Sequence, residues 1–205
     1  MMPTIRVLVV EDHPLTRLGL ATVLRAAEGI EVVGEADTMA KTFEAVRSTR
    51  SDVVVLDLRL PDGNMLGHMK RLREHAAGAR LLVVTGAVVE EQARIALRDG
   101  ASGFLSKEVD AAALVQAIRD VMLGRRVVGE DVRSALEDGS KQPSLSAREI
   151  EILGLVVEGF TNAEIGRAFG LSTGTVRTHV SNIFAKLGVT DRTEAASLAL
   201  RRGLV

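Results

Sequence analysis

The sequence predicts an α/β chain in two parts: an open, doubly wound, five-stranded parallel sheet covered by helices, then a small all-α domain of four helices. Three observations carry this. Five short Val- and Leu-rich runs alternate with segments of helical periodicity, at a spacing of roughly 20 to 25 residues, as far as about residue 123. The runs are apolar on successive residues, not on alternate ones, which suits strands buried on both faces. After residue 144 the strand pattern disappears and the apolar residues repeat at helical spacing.

The strand-like runs fall at residues 5–10, 32–36, 52–56, 81–84 and 103–105, and the helical segments at 15–26, 39–48, 65–76, 90–99 and 111–122. Five β-α units in succession imply a parallel sheet, because each parallel return needs a crossover long enough to hold a helix. Residues 124–144 lose the rhythm. A helical turn or two is expected at 131–137, and Gly139-Ser140-Lys141-Gln142-Pro143-Ser144 reads as a flexible link. The predicted domains are therefore 1–123 and 145–205, with 124–144 as the linker.

Helix starts are well marked in the second domain. Ser146-Ala147-Arg148-Glu149 and Thr161-Asn162-Ala163-Glu164 both have the form of a capping box, in which hydroxyl and carboxylate each satisfy an orphan backbone donor. Gly159 and Gly170 stand where the first two helices should stop, and Asp191 followed by Glu194 opens a fourth. A tight Gly170-Leu171-Ser172 turn between the second and third helices gives the outline of a helix-turn-helix module.

Composition narrows the function classes. The 205 residues include no cysteine, so disulfides and thiolate metal sites are excluded, in keeping with a reducing cytosol. No apolar stretch approaches the roughly 18 residues that a membrane span needs, and a strand pattern opens the chain where a signal peptide would stand. A cytoplasmic protein with no membrane partner is expected. Residues 1–139 carry 18 Lys and Arg against 21 Asp and Glu, and residues 140–205 carry 8 against 6. Neither balance is extreme, so a nucleic-acid role must rest on where individual Arg and Lys residues stand.

Candidate chemistry gathers at the predicted strand ends. Glu11-Asp12 closes the first strand, Asp57 the third and Thr85 the fourth, and Lys107 closely follows the fifth. In an open α/β sheet these ends share one rim, where ligands bind. Clustered carboxylates repel and call for a cation, and with oxygen ligands on offer magnesium is the natural choice. A carboxylate beside such an ion can attack phosphorus, while a hydroxyl and an ammonium contact the transferred oxygens. Any one of these residues alone has an ordinary explanation as a helix cap or a solvated charge. Five such residues at four strand ends do not.

These segments carry a resemblance. Val9-Val10-Glu11-Asp12-His13-Pro14, Asp57-Leu58-Arg59-Leu60-Pro61, Thr85-Gly86-Ala87 and Leu105-Ser106-Lys107 make residues 4–123 similar to the receiver domain of bacterial two-component response regulators. The resemblance implies that a sensor histidine kinase phosphorylates Asp57, with Thr85 and Lys107 assisting. It implies that Glu11, Asp12, Asp57 and the backbone carbonyl of Arg59 surround Mg2+, and that Thr85 and Phe104 occupy switch positions. Phe104 reads equally well as a core residue at the edge of the last strand. Two departures, Met65 where relatives usually carry Gly and Glu108 where many carry Pro, bear on loop geometry and kinase choice more than on phosphoacceptance.

In the third helix of the second domain, Val176, Val180, Ile183, Phe184 and Leu187 share one face at packing spacing. Thr178, Ser181, Asn182 and Ala185 point away, with Arg177 and Lys186 on the flanks. A small polar face with basic edges suits a major groove, the long cations reaching phosphates. The motifs Leu145-Ser146-Ala147-Arg148-Glu149, Gly159 through Ile165, Thr175 through Val180 and Lys186-Leu187-Gly188-Val189 resemble the DNA-binding domain that ends regulators of the NarL/FixJ and LuxR group. That resemblance implies contacts to double-stranded DNA by Thr175, Arg177, Thr178, Ser181, Asn182 and Lys186. It also implies a homodimer formed through the last helix, residues 192–201, whose Ala residues permit close approach; burial within its own bundle would explain several of the same residues.

The expected function is a phosphorylation-controlled transcriptional regulator and not an enzyme. The alternative is a regulator that binds DNA whatever its phosphorylation state, with the first domain as a dimerisation scaffold. A phosphohydrolase with an aspartyl nucleophile would also use the acids, Thr85 and Lys107, but leaves the helical module idle.

Overall fold

The computed structural model describes residues 4–86, 90–130, 132, 133, 136 and 145–205. The N-terminal domain runs β1 (Ile5–Val10), α1 (Pro14–Ala26), β2 (Ile30–Ala36), α2 (Met39–Ser48), β3 (Val53–Leu56), a hairpin of β4 (Arg59–Leu60) and β5 (Gly63–Asn64), a 3-10 turn (Met65–His68), α3 (Met69–His75), β6 (Arg80–Thr85), α4 (Glu90–Arg98), β7 (Gly103–Ser106), α5 (Ala111–Met122) and β8 (Val127–Val128). Strand order is β2-β1-β3-β6-β7-β8, and each pairing in this sheet is parallel.

The strands alternate by face, although both faces are dry. Leu8, Val10, Val54, Leu56, Val83 and Phe104 point into the layer that holds α2, α3 and α4. Val7, Val9, Val53, Val55, Leu82, Val84 and Leu105 point into the layer of α1 and α5. Double-sided burial explains the unbroken apolar runs in the sequence. It also fixes register, since a slip of one residue would exchange every side chain between the two layers.

The sheet has six strands where five were expected. The addition, Val127–Val128, lies inside the predicted linker and pairs with Gly103 and Phe104. Its ladder continues through Val127 N to Ser102 O at 3.2 Å and Gly129 N to Phe104 O at 3.0 Å. Two residues are too few to show periodicity, and two β-branched side chains are enough to cap a sheet edge. Gly103 makes the close approach possible, because a Cβ there would lie 2.8 Å from the Val127 carbonyl oxygen. The other unexpected strands are those of the short hairpin. Of the linker, residues 131, 134, 135 and 137–144 lie outside the described residues, and with them the predicted flexible link at 139–144.

The C-terminal domain consists of α6 (Ala147–Val157), α7 (Asn162–Phe169), α8 (Thr173–Leu187) and α9 (Arg192–Arg201). Both predicted capping boxes are closed: Ser146 and Glu149 exchange side chain and backbone, as do Thr161 and Glu164. Gly170 ends α7 in the left-handed conformation, at φ 66°, which glycine adopts without steric cost. Chain direction then reverses within Gly170-Leu171-Ser172, and the Ser172 side chain caps α8.

The apolar layer beneath α2–α4 continues into this second domain through Leu145, Ile150 and Leu204. Polar contacts cross the same boundary. Leu145 N donates to Glu91 Oε1 at 2.9 Å, its carbonyl accepts from Arg98 at 3.1 Å, and Asn64 Nδ2 donates to the Leu204 carbonyl at 3.3 Å.

Candidate functional site

The rim at the C-terminal ends of β1, β3, β6 and β7 assembles as the strand ends require. Strand order reverses direction between β1 and β3, which opens the crevice where this class of sheet binds ligands. Glu11 is held there by its backbone N–H to Ala36 O at 3.0 Å, and Asp57 by its N–H to Val10 O at 2.9 Å. The Lys107 N–H bonds to Thr85 O at 2.8 Å, which fixes the start of the Lys107 side chain beside β6. Glu11, Asp57 and Thr85 are buried, Asp12 is half-buried and His13 is exposed.

The Lys107 ammonium bridges two of the acids, 2.6 Å from Glu11 Oε2 and 2.6 Å from Asp57 Oδ2. Burial disfavours its charge, but hydrogen bonds and attraction from Asp57 and Glu11 outweigh that and hold its pKa above the ordinary lysine value. Asp12 pairs instead with His13, whose Nδ1 lies 2.6 Å from Asp12 Oδ1. Partial burial raises the Asp12 pKa, yet the bond and charge of His13 prevail and lower it. The His13 pKa is raised in turn, first by its hydrogen bond to Asp12 and then by that residue's charge.

Glu11, Asp12 and His13 bring ligand atoms within 4.8 Å of one another, and Asp57 faces them across the rim through Lys107. Three carboxylates with little but oxygen to offer suit a hard divalent cation, so the donor set fits Mg2+. Arg59 stands two residues beyond Asp57 at the start of the β4–β5 hairpin, and its N–H points to Asp57 Oδ1 at 3.4 Å. Thr85 closes β6, paired across from Ser106. Phe104 is fully buried in the α2–α4 layer.

The third helix of the C-terminal domain, α8, turns Val176, Val180, Ile183 and Leu187 inward, with Phe184 half-buried. Thr175, Arg177, Thr178, Ser181 and Asn182 are exposed on the outer face. Two of these hydroxyls have local partners: Thr175 Oγ1 lies 2.8 Å from Ser172 Oγ, and Thr178 donates to Gly174 O. Arg177, Ser181 and Asn182 make no side-chain hydrogen bond among the described residues. Lys186 sits differently from the other five. Its ammonium lies 2.7 Å from the buried Glu149 carboxylate, so it ties α8 to the start of α6. Burial raises the Glu149 pKa, but the Lys186 bond and the Ser146 backbone N–H overcome it and hold the carboxyl below its usual value. The sequence showed Glu149 only as a cap, because its charge partner lies 37 residues away.

A doubly wound sheet with an acidic rim, joined to a helix-turn-helix module whose outer polar face is open, defines a signal-responsive DNA-binding regulator. Residues 7–119 match the response regulator receiver domain, and residues 143–199 match the bacterial regulatory proteins of the luxR family. The chain belongs to the LuxR-type response regulators of two-component systems. It is 36% identical over 203 residues to the DNA-binding transcriptional activator DevR/DosR of Mycobacterium tuberculosis, covering 95% of this chain and 94% of that protein. It is 34% identical over 209 residues to the transcriptional regulatory protein LiaR of Bacillus subtilis, covering 98% and 99%. Among solved structures it resembles the response regulator ChrA of a heme-sensing two-component system, at 33% identity, TM-score 0.57 and full coverage of both chains. It also resembles the RcsB response regulator of Salmonella typhimurium, at 25% identity, TM-score 0.73 and 96% coverage of each. Among the described residues no helix is long and apolar enough to cross a membrane.

Proposed function

We propose that Asp57 is the phosphoacceptor and that its modification governs DNA binding by the α8 face. The observation that carries this is the pairing of Asp57 with Lys107 at 2.6 Å inside a rim that also holds Glu11, Asp12 and Thr85. An Asp57 carboxylate oxygen attacks the phosphorus of a phosphohistidine on a sensor kinase, the P–N bond breaks, and the imidazole leaves with its electron pair. Mg2+ held by Glu11, Asp12, Asp57 and the Arg59 carbonyl would offset the charge of the transferred group. Lys107 moves its contact onto a phosphoryl oxygen, and the Thr85 hydroxyl donates to another. The ring of Phe104, already enclosed, follows Thr85 by repacking.

The domain limits proposed for this regulator are 1–123, with the β8 edge strand at Val127–Val128 completing the sheet, and 145–205, with the rest of 124–144 between them. On DNA, Arg177 reaches phosphate, and Thr175, Thr178, Ser181 and Asn182 face the groove. Lys186 contributes there only by leaving Glu149. A homodimer through α9 would read two related half-sites.

Acetyl phosphate with Mg2+ tests the acceptor. The parent chain should gain the mass of one phosphoryl group, reversed by hydroxylamine, and Asp57→Ala should gain none while keeping its thermal transition. Undiminished labelling of that variant removes Asp57 from the role. A second reading, DNA binding independent of phosphorylation with the receiver as a scaffold, has one observation in its favour: the α8 face is already exposed with Asp57 unmodified. Equal affinity for a selected DNA site with and without the phosphodonor would establish it.

A further inference from the structure

We infer that the receiver grips the DNA-binding domain by its C-terminal turn, behind the reading helix, and that Arg59 connects this grip to the phosphoacceptor. The inference rests on the assignment of Asp57 above and adds the site through which its modification is transmitted.

Arg59 touches both ends of the connection. Its backbone N–H points to Asp57 Oδ1, an oxygen of the group to be phosphorylated. Its guanidinium lies against Gly203, the buried turn residue after α9, so closely that a Cβ there would overlap it. Gly203 has φ +57° and holds the turn with Gly203 N to Leu200 O and Leu204 N to Ala199 O. Asn64, the cross-strand neighbour of Arg59 in the hairpin, donates to the next carbonyl along, that of Leu204. One two-residue ladder therefore presents two side chains to one turn of the other domain.

Helix α4, which follows the end of β6 at Thr85, supplies the second arm. Glu91 and Arg98 hold the backbone N–H and carbonyl of Leu145, where the C-terminal domain begins. Between the two arms lies Gln92, 1% exposed, whose Nε2 has no hydrogen-bond partner among the described residues and approaches Gly203. A buried amide without a partner disfavours the closed seam. The seat is thus held by these bonds and by the apolar contact through Leu145, Ile150 and Leu204, against an internal penalty, and both of its arms spring from strands that end at the acidic rim.

The grip leaves α8 uncovered, since Arg177, Thr178, Ser181 and Asn182 are exposed while the seat is closed. Release therefore frees α9 and reorients the domain, and it does not unmask a hidden reading face. Phosphorylation bonds phosphorus to an Asp57 carboxylate oxygen and so changes the acceptor that faces the Arg59 N–H, the hairpin shifts, and the guanidinium leaves the turn.

The test uses the full chain. Because the chain has no native cysteine, dyes at Glu44→Cys and Ser197→Cys, both exposed, report the separation of the domains. Asn64→Asp keeps the side-chain oxygen that caps Leu66 N and sets a carboxylate against the Leu204 carbonyl. Without phosphodonor it should shift the closed-to-open ratio by about fivefold or more, the worth of one hydrogen bond, and lower energy transfer toward the value of the phosphorylated parent. Gln92→Glu gives Arg59 an anionic partner and should keep transfer high after acetyl phosphate is added. Binding of the unphosphorylated variants to a random-sequence duplex of about ten base pairs, too short for two copies, should match the parent.

Unchanged transfer in Asn64→Asp overturns the seat. A tenfold gain in its binding to the short duplex overturns the claim that the reading face is open. Phosphorylated parent chains that retain full transfer overturn the role of Arg59 as the connection. If the parent takes up no phosphoryl group, the assignment of Asp57 fails instead, and Asn64→Asp alone still decides whether the seat exists.

Discussion

Replacing Lys107 with Gln removes the ammonium that reconciles Glu11 with Asp57. Each carboxylate has an oxygen 2.6 Å from Nζ. The two oxygens thus lie within about 5 Å of each other, where two negative charges repel by about 3 kcal/mol at an effective dielectric near 20. Both acids are buried and the Lys107 side chain is only 22% exposed, so solvent screens the repulsion weakly. Lys107→Gln should therefore lower the stability of the N-terminal domain by about 2–3 kcal/mol near neutral pH, or about 10 °C in Tm.

The sign of the pH dependence follows from the raised pKa of Lys107. A raised value means that the parent's ion pair contributes fully throughout the neutral range and is lost only as pH rises through that value. Millimolar Mg2+ should restore more stability to the variant than it adds to the parent, by mass action on a rim that has lost its internal cation. Thermal unfolding followed by far-UV circular dichroism is the assay, since the chain has neither Trp nor Tyr to report by fluorescence. A loss of the same size with and without millimolar Mg2+ would mean that Lys107 acts by packing alone and that the electrostatic account of the rim is wrong.

Three further outcomes follow from the packing and the charges. Glu149→Gln keeps the capping geometry and loses the charge opposite Lys186, and should cost about 1–3 kcal/mol at pH 7. The folded-state pKa of Glu149 is depressed, so its contribution is present above the unfolded carboxyl value and lost as pH falls through the depressed one; urea unfolding at about pH 7 and about pH 3 should show the deficit closing. Arg177→Ala should weaken binding to DNA of any sequence and lower the slope of log affinity against log salt by about 1, and a gel-shift titration that leaves both unchanged removes Arg177 from the interface. Gly103→Ala places a methyl group 2.7 Å from Leu82 Cδ1 and 2.8 Å from the Val127 carbonyl, which should cost about 1–3 kcal/mol and loosen β8, seen as faster amide exchange at Val127 and Gly129.

The sequence made the sheet, its acidic rim and the helix starts legible because each is written in local terms. Five apolar runs, four of them ending at residues with chemistry, are visible without knowing which strand pairs with which. A capping box needs only four residues, and both that were read in the C-terminal domain close in the structure. What escaped is carried by pairs distant in sequence. Lys186 reads as a free flanking cation until α6 brings Glu149 beside it. Arg59 was read for its backbone carbonyl alone, and nothing near it in the chain announces that its guanidinium meets Gly203, 144 residues later. The strand at Val127–Val128 was missed because a two-residue edge has no period of its own.

The bond between Glu149 and Lys186 has a consequence for geometry on DNA. Glu149 also accepts the Ser146 N–H at 2.7 Å, one residue beyond the point where Leu145 is clasped, so a single carboxylate braces the entrance of the domain against the far end of α8. Such a strut resists internal shear, and the four helices turn as one rigid lever. In the proposed homodimer, the angle and spacing at which two reading helices meet successive grooves are then set by how two copies come together. Altering the preferred operator spacing would accordingly call for changes where the copies touch, leaving α8 as it stands.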